Sequence, residues 1–558
     1  MLFSSLFAKT AEYEKLAHAL SAPGACALFG LPGSGRAMVY AALAKETGRF
    51  LCIVTPGEAE ATRFAGDLNA LGIPTAVFPA RDYVLRPIEG TAREYEYRRL
   101  SVLGDIVGGR LQAVCVPDEG LTQYTTPRAE FCNNTRTLHP GDTVPRTELT
   151  ALLYNAGYAR RAQVDGPGQF SIRGDIVDLY APDMKLPVRM EFWGDEIDTM
   201  HTFDLATQRR EDPIEKIYVS PAREVLFGSP AEAAELLRAF IKKFRGKKRT
   251  ALEACLATEL AQLDGGALPV NMDKYLAVRY PQPATLLDYF DDPLLVLEEP
   301  ASLREAERAT TYRRGEEISA LLQDGVLAAG LDNLYAENGY LWAQAANHCT
   351  ICAENFARSM PDIPLKDIVN APAHTLPAWG GEVTSLLEDL QPLCNGGAAV
   401  TVLAGTQRAA AGLAADLRTK GLLVTTDPDA APGAGLVQVL PGQLSAGCSV
   451  PFAKYALFTA RAFGISSTQK KKKRNKDALN SLSEIAVGDL VVHQNHGIGR
   501  YAGIQRMAVQ GVTKDYLRIE YDKKDVLYVP VTQLDLLSRY TAPNDSDNVK
   551  LSRLGGSD

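Results

Sequence analysis

Apolar segments alternate with helix-like segments along the first part of the chain. Leu51–Val54 and Leu111–Val116 are short, continuous apolar runs of the kind that form strands buried on both faces of a parallel sheet. Between them, Glu58–Leu71 and Arg93–Leu103 carry apolar residues at helical spacing. The pattern predicts an α/β domain with a parallel sheet, of which residues 1–124 form the first part.

The apolar spacing changes to every second position between residues 125 and 205, which predicts a small inserted α+β domain. In its clearest strand, alternation separates a core face from a solvent face: Val188, Met190 and Phe192 against Arg189, Glu191 and Trp193. In a neighbouring strand Phe170 and Ile172 point inward, so Arg173 points outward. Tryptophan and arginine on a solvent face are typical of binding hot spots. The alternative is a stacked arginine–tryptophan pair on an ordinary surface.

Helical segments return after the insertion, and the first domain resumes. Ala231–Phe244, Lys248–Leu263 and Ala301–Leu322 have helical periodicity, and Leu294–Leu297 is a short apolar strand between them. We therefore expect residues 206–362 to complete the first α/β domain.

A second α/β domain, whose role the sequence leaves open, is predicted over residues 366–463. It contains the apolar strand Ala398–Leu403 and the helical segment Gln407–Lys420. Residues 464–485 are predicted to be a basic linker, because the run Lys470–Lys476 must be solvated. The alternative role for this run is electrostatic help near DNA or a polymerase.

The last part of the chain, residues 486–556, alternates cleanly and predicts a compact β domain. Its strand candidates are Asp489–His493, Gly499–Ala508, Thr513–Tyr521 and Val526–Val531. Four short, curved strands suggest an SH3- or Tudor-like barrel, a shape that serves binding more often than catalysis. His493 and His496 could form a metal pair, but no cysteine or further histidine is near them in the sequence. A structural role is therefore favoured, and no metal is predicted.

Composition is that of an ordinary multidomain protein. The chain has 558 residues, 46% of them hydrophobic, and a net charge of −8, which argues against a surface built wholly for nucleic acid. Nine cysteines fit a reducing cytosol, and the pair Cys349 and Cys352 lacks a second pair at zinc spacing. No apolar run reaches the roughly 20 residues of a membrane span. We expect a cytoplasmic monomer without membrane contact.

A phosphate-binding loop near the N-terminus lacks the residues that act on nucleotide. Residues 30–37 have the spacing of G-x-x-x-x-G-K-[ST], with glycines Gly30, Gly33 and Gly35, but Arg36 and Ala37 replace the lysine and the hydroxyl residue. Arginine does not replace the compact ammonium, and alanine offers no oxygen to Mg²⁺. Losing two such contacts should weaken nucleotide binding by about two to four decades. The sequence predicts a degenerate P-loop NTPase-like domain.

A degenerate Walker B segment accompanies this loop. The apolar strand Leu294–Leu297 ends in Glu298 and Glu299, where a Walker B segment presents its acidic residues. An acidic strand end is, taken alone, also a plain helix start. Together the two segments predict a chain with no catalytic residue and no cofactor.

Two segments resemble UvrB, the excision-repair protein. Thr285–Glu299 resembles the segment that ends in its Asp-Glu-Ser-His motif, which here reads Glu-Glu-Pro-Ala. Gly157–Asp204, with Gln169-Phe170-Ser171-Ile172-Arg173-Gly174-Asp175 and Glu191-Phe192-Trp193-Gly194-Asp195, is similar to the UvrB domain that binds UvrA. This resemblance implies that Arg173, Arg189 and Trp193 contact UvrA. The aromatic hairpin with which UvrB probes damage is missing, because Ala80–Gly90 leads directly into a helix.

The C-terminal β domain resembles the RNA polymerase-interacting domain that transcription-repair coupling factors (the Mfd family) share with CarD-type regulators. The matching text is Gly488–His493, His496-Gly497-Ile498-Gly499-Arg500-Tyr501, Asp515-Tyr516-Leu517 and Leu527–Val531. In that family the domain pairs an edge strand with the polymerase β subunit. The resemblance implies that the corresponding strand here is Ile504, Gln505, Arg506 and Met507.

Together these resemblances identify the chain as the N-terminal, non-motor part of a transcription-repair coupling factor. The family implies an adaptor that binds RNA polymerase stalled at DNA lesions through its β subunit and recruits UvrA for nucleotide excision repair. The family's ATP-dependent DNA translocase, with its ATP and Mg²⁺ and most of its DNA contacts, would begin about where this chain ends. We therefore expect a truncated chain that neither hydrolyses ATP nor translocates. The alternatives are a UvrB-like ATPase and a CarD-like transcription regulator.

Overall fold

The computed structural model describes residues 2–86, 93–360, 363–460, 487–493, 496–509, 512–522, 525–530 and 537–539. The predicted linker with its basic run Lys470–Lys476 lies outside these residues. Within the described ranges, no helix is both long and apolar enough to cross a lipid bilayer.

The N-terminal segment alternates helices and strands, as its apolar pattern predicts. Its elements are α1 (Leu2–Phe7), α2 (Ala11–Ala19), β1 (Gly24–Phe29), α3 (Gly33–Thr47), β2 (Leu51–Thr55), α4 (Glu58–Ala70), β3 (Thr75–Val77), α5 (Glu94–Val107), β4 (Ala113–Pro117), α6 (Asp118–Leu121) and α7 (Arg128–Asn133). The helix α3 begins at Gly33, so Gly33 and Gly35 of the loop already lie in its first turn. These strands contribute to a parallel sheet.

The inserted domain follows, as a six-stranded sheet with one long helix against it. Its elements are β5 (Arg136–Leu138), α8 (Arg146–Asn155), β6 (Ala159–Arg160), β7 (Gln169–Arg173), β8 (Ile176–Tyr180), β9 (Val188–Trp193), β10 (Glu196–Phe203), β11 (Arg210–Pro213) and β12 (Ile217–Val219). The sheet order is β11-β10-β9-β8-β7-β6, while β12 pairs with β5. Strands of this domain therefore continue to Val219, beyond residue 205, where the sequence pattern placed its end.

The alternation predicted for the inserted domain is present in β9. Val188, Met190 and Phe192 are buried in the core of this domain, and Trp193 stands on the other face. Because the side-chain period of a strand is two, this assignment also fixes which residues of the neighbouring strands share the outer face.

The chain then returns to the first sheet through a helical segment. Its elements are α9 (Pro230–Lys242), α10 (Gly246–Asp264), α11 (Leu276–Arg279), β13 (Leu294–Glu298), α12 (Pro300–Gln323), α13 (Tyr340–Asn347), β14 (Cys349–Glu354) and β15 (Leu365–Asn370). The completed sheet is parallel, with the order β15-β1-β14-β13-β2-β4-β3. Successive residues of β13 and β2 enter two different cores, one on each face, which is why these strands are apolar throughout.

The second α/β segment forms a six-stranded mixed sheet. Its elements are β16 (His374–Leu376), α14 (Val383–Asn395), β17 (Ala399–Leu403), α15 (Gln407–Thr419), β18 (Val424–Thr425), β19 (Val437–Leu440), β20 (Gly447–Val450) and β21 (Tyr455–Thr459), in the order β16-β20-β21-β17-β19-β18. Residues 366–370 were placed in this domain by the sequence pattern, but they belong to β15, which pairs with β1 and extends the first sheet. Apolar residues of β20 and β21 share one core with α3, so the two sheets pack together.

The C-terminal segment is an antiparallel sheet. Its strands are β22 (Leu490–His493), β23 (Gly497–Val509), β24 (Val512–Glu520), β25 (Val526–Pro530) and β26 (Leu537–Arg539), in the order β25-β24-β23-β22-β26. Its small core includes Val491, Leu517 and Leu527. The strand β26 was not predicted from the sequence.

Candidate functional site

The degenerate nucleotide loop connects β1 to α3, as its spacing predicts. Gly30 has a φ of 91°, a backbone conformation that favours glycine. A Cβ on Gly30 would lie 3.1 Å from the carbonyl oxygen of Ala371 and from Cα of Pro372. The chain after β15 therefore lies directly against the loop, and this position accepts only glycine.

Arg36 does not point to solvent where a phosphate would lie. It is buried, its Nη1 lies 2.7 Å from Glu298 Oε2, and its Nη2 lies 2.8 Å from Glu299 Oε1. Nη1 also donates to the carbonyl oxygen of Ala353 at 3.2 Å. The residues that replace the catalytic lysine and the Walker B acids are thus brought together, and they neutralise one another.

Burial and charge act in opposite directions on this ion pair. Burial alone lowers the pKa of Arg36, but Glu298, Tyr40 and Glu299 more than offset it, so the arginine stays charged. Burial raises the pKa of Glu298 above its ordinary value, and the positive charge of Arg36 opposes that rise. Tyr40 donates to Glu298 Oε1 at 2.6 Å. Each of the two buried acid oxygens therefore has a partner within the protein.

The second α/β segment lies against the first turn of α3 and the C-terminal half of α4. Ser445 donates its backbone N–H and its hydroxyl to the two carboxylate oxygens of Asp67, at 2.7 and 2.6 Å. A Cβ on Gly35 would lie 3.0 Å from Cys448 Sγ, and one on Gly33 would lie 2.1 Å from a nitrogen of Arg63. Side chains from β20 and α4 therefore lie close to the loop, on the side where a nucleotide would bind.

The outer face of the inserted sheet is organised around Asp178, a fully buried acid. Arg173 Nη2 lies 2.5 Å from Asp178 Oδ2, and Arg189 Nε lies 2.7 Å from Asp178 Oδ1. Strand register explains the contact, because Asp178 on β8 lies directly opposite Arg189 on β9. The hydrogen bond to Asp178 raises the pKa of Arg189, which is therefore firmly charged.

Trp193 ends β9 on this same face, with 83% of its surface exposed. It is not stacked on arginine: the guanidinium of Arg189 lies over the ring of Phe203, at 4.6 Å from its centroid. Glu191, between Arg189 and Trp193 on the strand, forms an ion pair with Arg210. The face thus combines a projecting indole with arginines whose positions are fixed. We call it the Trp193 face, made of Arg173, Asp178, Arg189, Glu191 and Trp193.

The predicted polymerase-binding strand is the second half of β23. Ile504 through Met507 pair with Leu517 through Lys514 of β24. The other neighbour, β22, pairs only with the first half of β23, Gly497 to Arg500. Among the described residues, therefore, 504–507 have a strand partner on one side. Ile504 is 48% exposed, and Gln505 is exposed. The side chains of Arg506 and Met507 lie outside the described part of the structure.

The remaining sequence candidates are the cysteines and the histidine pair. Cys349 and Cys352 are buried in β14, and burial raises the pKa of the Cys352 thiol to about 12, which makes it a poor ligand and nucleophile at neutral pH. His493 and His496 lie next to Glu94, the first residue of α5. Sequence spacing could not reveal this third residue, because it lies in a distant segment of the chain.

Asp178, which pairs with Arg173 and Arg189 on the candidate face, is a residue that sequence reasoning missed. The available signal was an acid at the centre of the otherwise apolar strand Ile176–Tyr180. A carboxylate in that position is rarely buried without a cationic partner. Pairing β8 with β9 would have pointed to Arg189.

Comparison with known proteins agrees with this arrangement. The UvrB interaction domain matches residues 137–225, and the CarD-like/TRCF RID domain matches residues 485–541. The fold and the two surfaces thus define a protein that combines a UvrB-type interaction domain with a CarD-like domain.

Almost the whole chain is also similar to transcription-repair-coupling factors. The chain is 28% identical over 546 residues to the Bacillus subtilis (strain 168) protein, covering 95% of this chain and 46% of that protein. It is 26% identical to the proteins of Staphylococcus haemolyticus (strain JCSC1435) and Staphylococcus aureus (strain MRSA252), over 549 and 547 residues, with the same shares of each chain covered. The chain spans about half the length of these relatives. The resemblance to the N-terminal part of a transcription-repair coupling factor, which the sequence motifs indicated, is confirmed.

Proposed function

We propose that this chain is an adaptor that binds UvrA through the Trp193 face and the β subunit of RNA polymerase through the open edge of β23. In the cell it would join a polymerase stalled at a DNA lesion to nucleotide excision repair. The observation that carries the proposal is the exposed Trp193 beside two arginines that a buried Asp178 holds in place.

The Trp193 face has the chemistry of a docking hot spot. An aromatic side chain of this size buries roughly 150–250 Å² on binding, which at about 25 cal/mol per Å² corresponds to about 3–5 kcal/mol when 83% of it is still available. The described residues of the protein leave most of the Trp193 side chain uncovered. Fixing Arg173 and Arg189 on Asp178 also reduces the entropy that binding would cost. A partner with an acidic, partly apolar surface would fit this face.

The edge of β23 supports the second contact. Strand addition needs a strand with unpaired backbone groups, and Ile504 to Met507 are paired on one side among the described residues. An exposed isoleucine on that edge offers apolar area to the incoming strand. The assignment to the polymerase β subunit comes from the family resemblance, whereas the SH3- or Tudor-like barrel was inferred from four short, curved strands in the sequence. Both belong to this proposal.

We also propose that the chain does not hydrolyse ATP and uses no cofactor. In support of this, Arg36 forms ion pairs with Glu298 and Glu299. Ala371 and Cys448 also lie close to Gly30 and Gly35 of the loop. To bind a nucleotide, this P-loop-like site would have to break a buried ion pair. The domain would then serve as a scaffold that positions the inserted domain.

A binding experiment with matched variants tests the two contacts separately. Purified UvrA and purified polymerase β subunit are each titrated against the wild type, Trp193→Ala and Ile504→Arg. We expect Trp193→Ala to weaken UvrA binding by about 30-fold or more and to leave polymerase binding unchanged. We expect Ile504→Arg to do the reverse.

Exposed apolar residues elsewhere provide the controls. Phe356 is 80% exposed and Leu423 is 64% exposed, so Phe356→Ala and Leu423→Arg change similar surface away from both sites. Both controls should bind as the wild type does. If the wild type binds the polymerase but not UvrA, the CarD-like regulator is favoured. ATP turnover that disappears in Arg36→Ala would favour the UvrB-like ATPase.

A further inference from the structure

Three potential metal ligands from distant parts of the chain meet between α5 and the C-terminal sheet. Glu94 begins α5, His493 ends β22, and His496 precedes β23. Their ligand atoms all lie within 4.8 Å of one another. No third ligand is near the two histidines in the sequence, and the fold supplies it as Glu94.

The distances approach those of a coordination sphere. His496 Nε2 lies 3.4 Å from Glu94 Oε1, and His493 Nε2 lies 3.8 Å from the same oxygen. With zinc–ligand bonds of about 2.0–2.2 Å, neighbouring ligand atoms of a tetrahedral site are separated by about 3.3–3.5 Å. The two distances from Glu94 to the histidines therefore differ from this spacing by at most a few tenths of an ångström, and all three ligand atoms lie within 4.8 Å of one another. The two rings already lie close, with centroids 4.7 Å apart.

The three side chains together form a donor set that suits a transition-metal ion. His493 is fully buried, whereas Glu94 and His496 are partly exposed. Two imidazoles and one carboxylate are typical of sites for divalent zinc or iron.

We propose that Glu94, His493 and His496 form a binding site for a divalent transition-metal ion, with Zn²⁺ as the probe, which fastens the C-terminal sheet to α5 of the first domain. Three protein ligands leave at least one coordination position for water. The ion acts as a clamp between a docking domain and the body of the protein. The proposal does not depend on the proposed UvrA and polymerase contacts.

Metal titration of the full chain tests the site directly. After treatment with a chelator, the wild type is titrated with ZnCl₂ in a calorimeter and with CoCl₂ by visible absorption. The variants are Glu94→Gln and His496→Gln, which keep the shape of each side chain approximately. The control is His139→Gln, because His139 is half exposed and lies in another domain.

We expect one Zn²⁺ per wild-type chain, and the same for His139→Gln. Loss of a direct ligand should weaken the affinity by more than the roughly 10- to 100-fold that loss of a supporting residue costs. Zn²⁺ should also slow hydrogen exchange of the amides of β22 in the wild type and not in Glu94→Gln, because the ion joins that strand to α5. Absence of stoichiometric binding, equal binding by Glu94→Gln, or thiolate-to-Co²⁺ bands that assign the ion to cysteines would overturn the proposal.

Discussion

Replacing Arg36 by alanine removes the cation that forms an ion pair with the buried carboxylate of Glu298. Glu298 is fully buried and would keep the hydrogen bond from Tyr40 without a paired cation among the described residues, whereas Glu299 is partly exposed and can be hydrated. Breaking a buried pair by removing one partner costs about 3–5 kcal/mol, because an uncompensated charge remains. With a urea dependence of about 3 kcal/mol per molar, the unfolding midpoint should fall by about 1–2 M.

Tryptophan fluorescence can report this unfolding for the first domain alone. The chain has three tryptophans, and Trp342 lies in α13, where its Nε1 donates to Glu307 at 2.6 Å. With Trp193 and Trp379 replaced by phenylalanine, the signal follows the parallel-sheet domain. The control is Arg49→Ala, because Arg49 pairs with Asp292, which is 68% exposed, and surface pairs contribute about 0–1 kcal/mol.

A double-mutant cycle separates the ion pair from other effects of the substitution. Glu298→Gln in the Arg36→Ala background removes the uncompensated charge, so the double variant should be more stable than the sum of the single effects by about 0.5–3 kcal/mol. The reasoning would be refuted by a midpoint for Arg36→Ala equal to that of Arg49→Ala. It would also fail if MgATP raised the midpoint of the wild type and not of Arg36→Ala, since Arg36 would then serve a nucleotide.

Three further substitutions test other parts of the structure. Burial, followed by the charge of Glu307, raises the pKa of Asp118 to about 7; the folded chain then holds an extra proton between about pH 4 and pH 7, and stability falls as the pH rises through that window. Asp118→Asn should therefore be more stable than the wild type at pH 8 and similar to it at pH 4, as measured by urea midpoints. Asp178→Asn should weaken UvrA binding at least about tenfold although Asp178 is buried, because Arg173 and Arg189 lose their anchor; unchanged binding would show that the anchor is unnecessary. Asp67→Ala should speed hydrogen exchange around Ser445 without changing UvrA binding, because it removes the two hydrogen bonds that Ser445 donates to Asp67.

Local sequence patterns predicted most of the architecture. The apolar runs at Leu51–Val54 and Leu294–Leu297 identified strands that are buried on both faces, and alternation in β9 correctly placed Trp193 outside. Periodicity is sufficient there, because each pattern depends on burial along a single element. The α/β class with a parallel sheet follows from those elements.

Contacts between distant segments could not be predicted in the same way. Residues 366–370 were assigned to the second domain because the pattern of a single, half-exposed strand does not show which sheet it joins. Glu94 is an ordinary acidic residue at a helix start until the C-terminal sheet brings His493 and His496 beside it. The contact of Asp178 with Arg189 likewise depends on the register of β8 with β9. The partners of such residues are determined by tertiary contacts, which a local sequence pattern does not contain.

Formation of a ternary complex tests the adaptor proposal most directly. The chain, UvrA and RNA polymerase are mixed at concentrations above both pairwise dissociation constants, and the mass of the assemblies is measured by analytical ultracentrifugation. The account predicts one species that contains all three proteins, because the Trp193 face and the edge of β23 belong to different sheets. That species should be lost with Trp193→Ala and with Ile504→Arg. Mutually exclusive binding of UvrA and polymerase to the wild-type chain would contradict it.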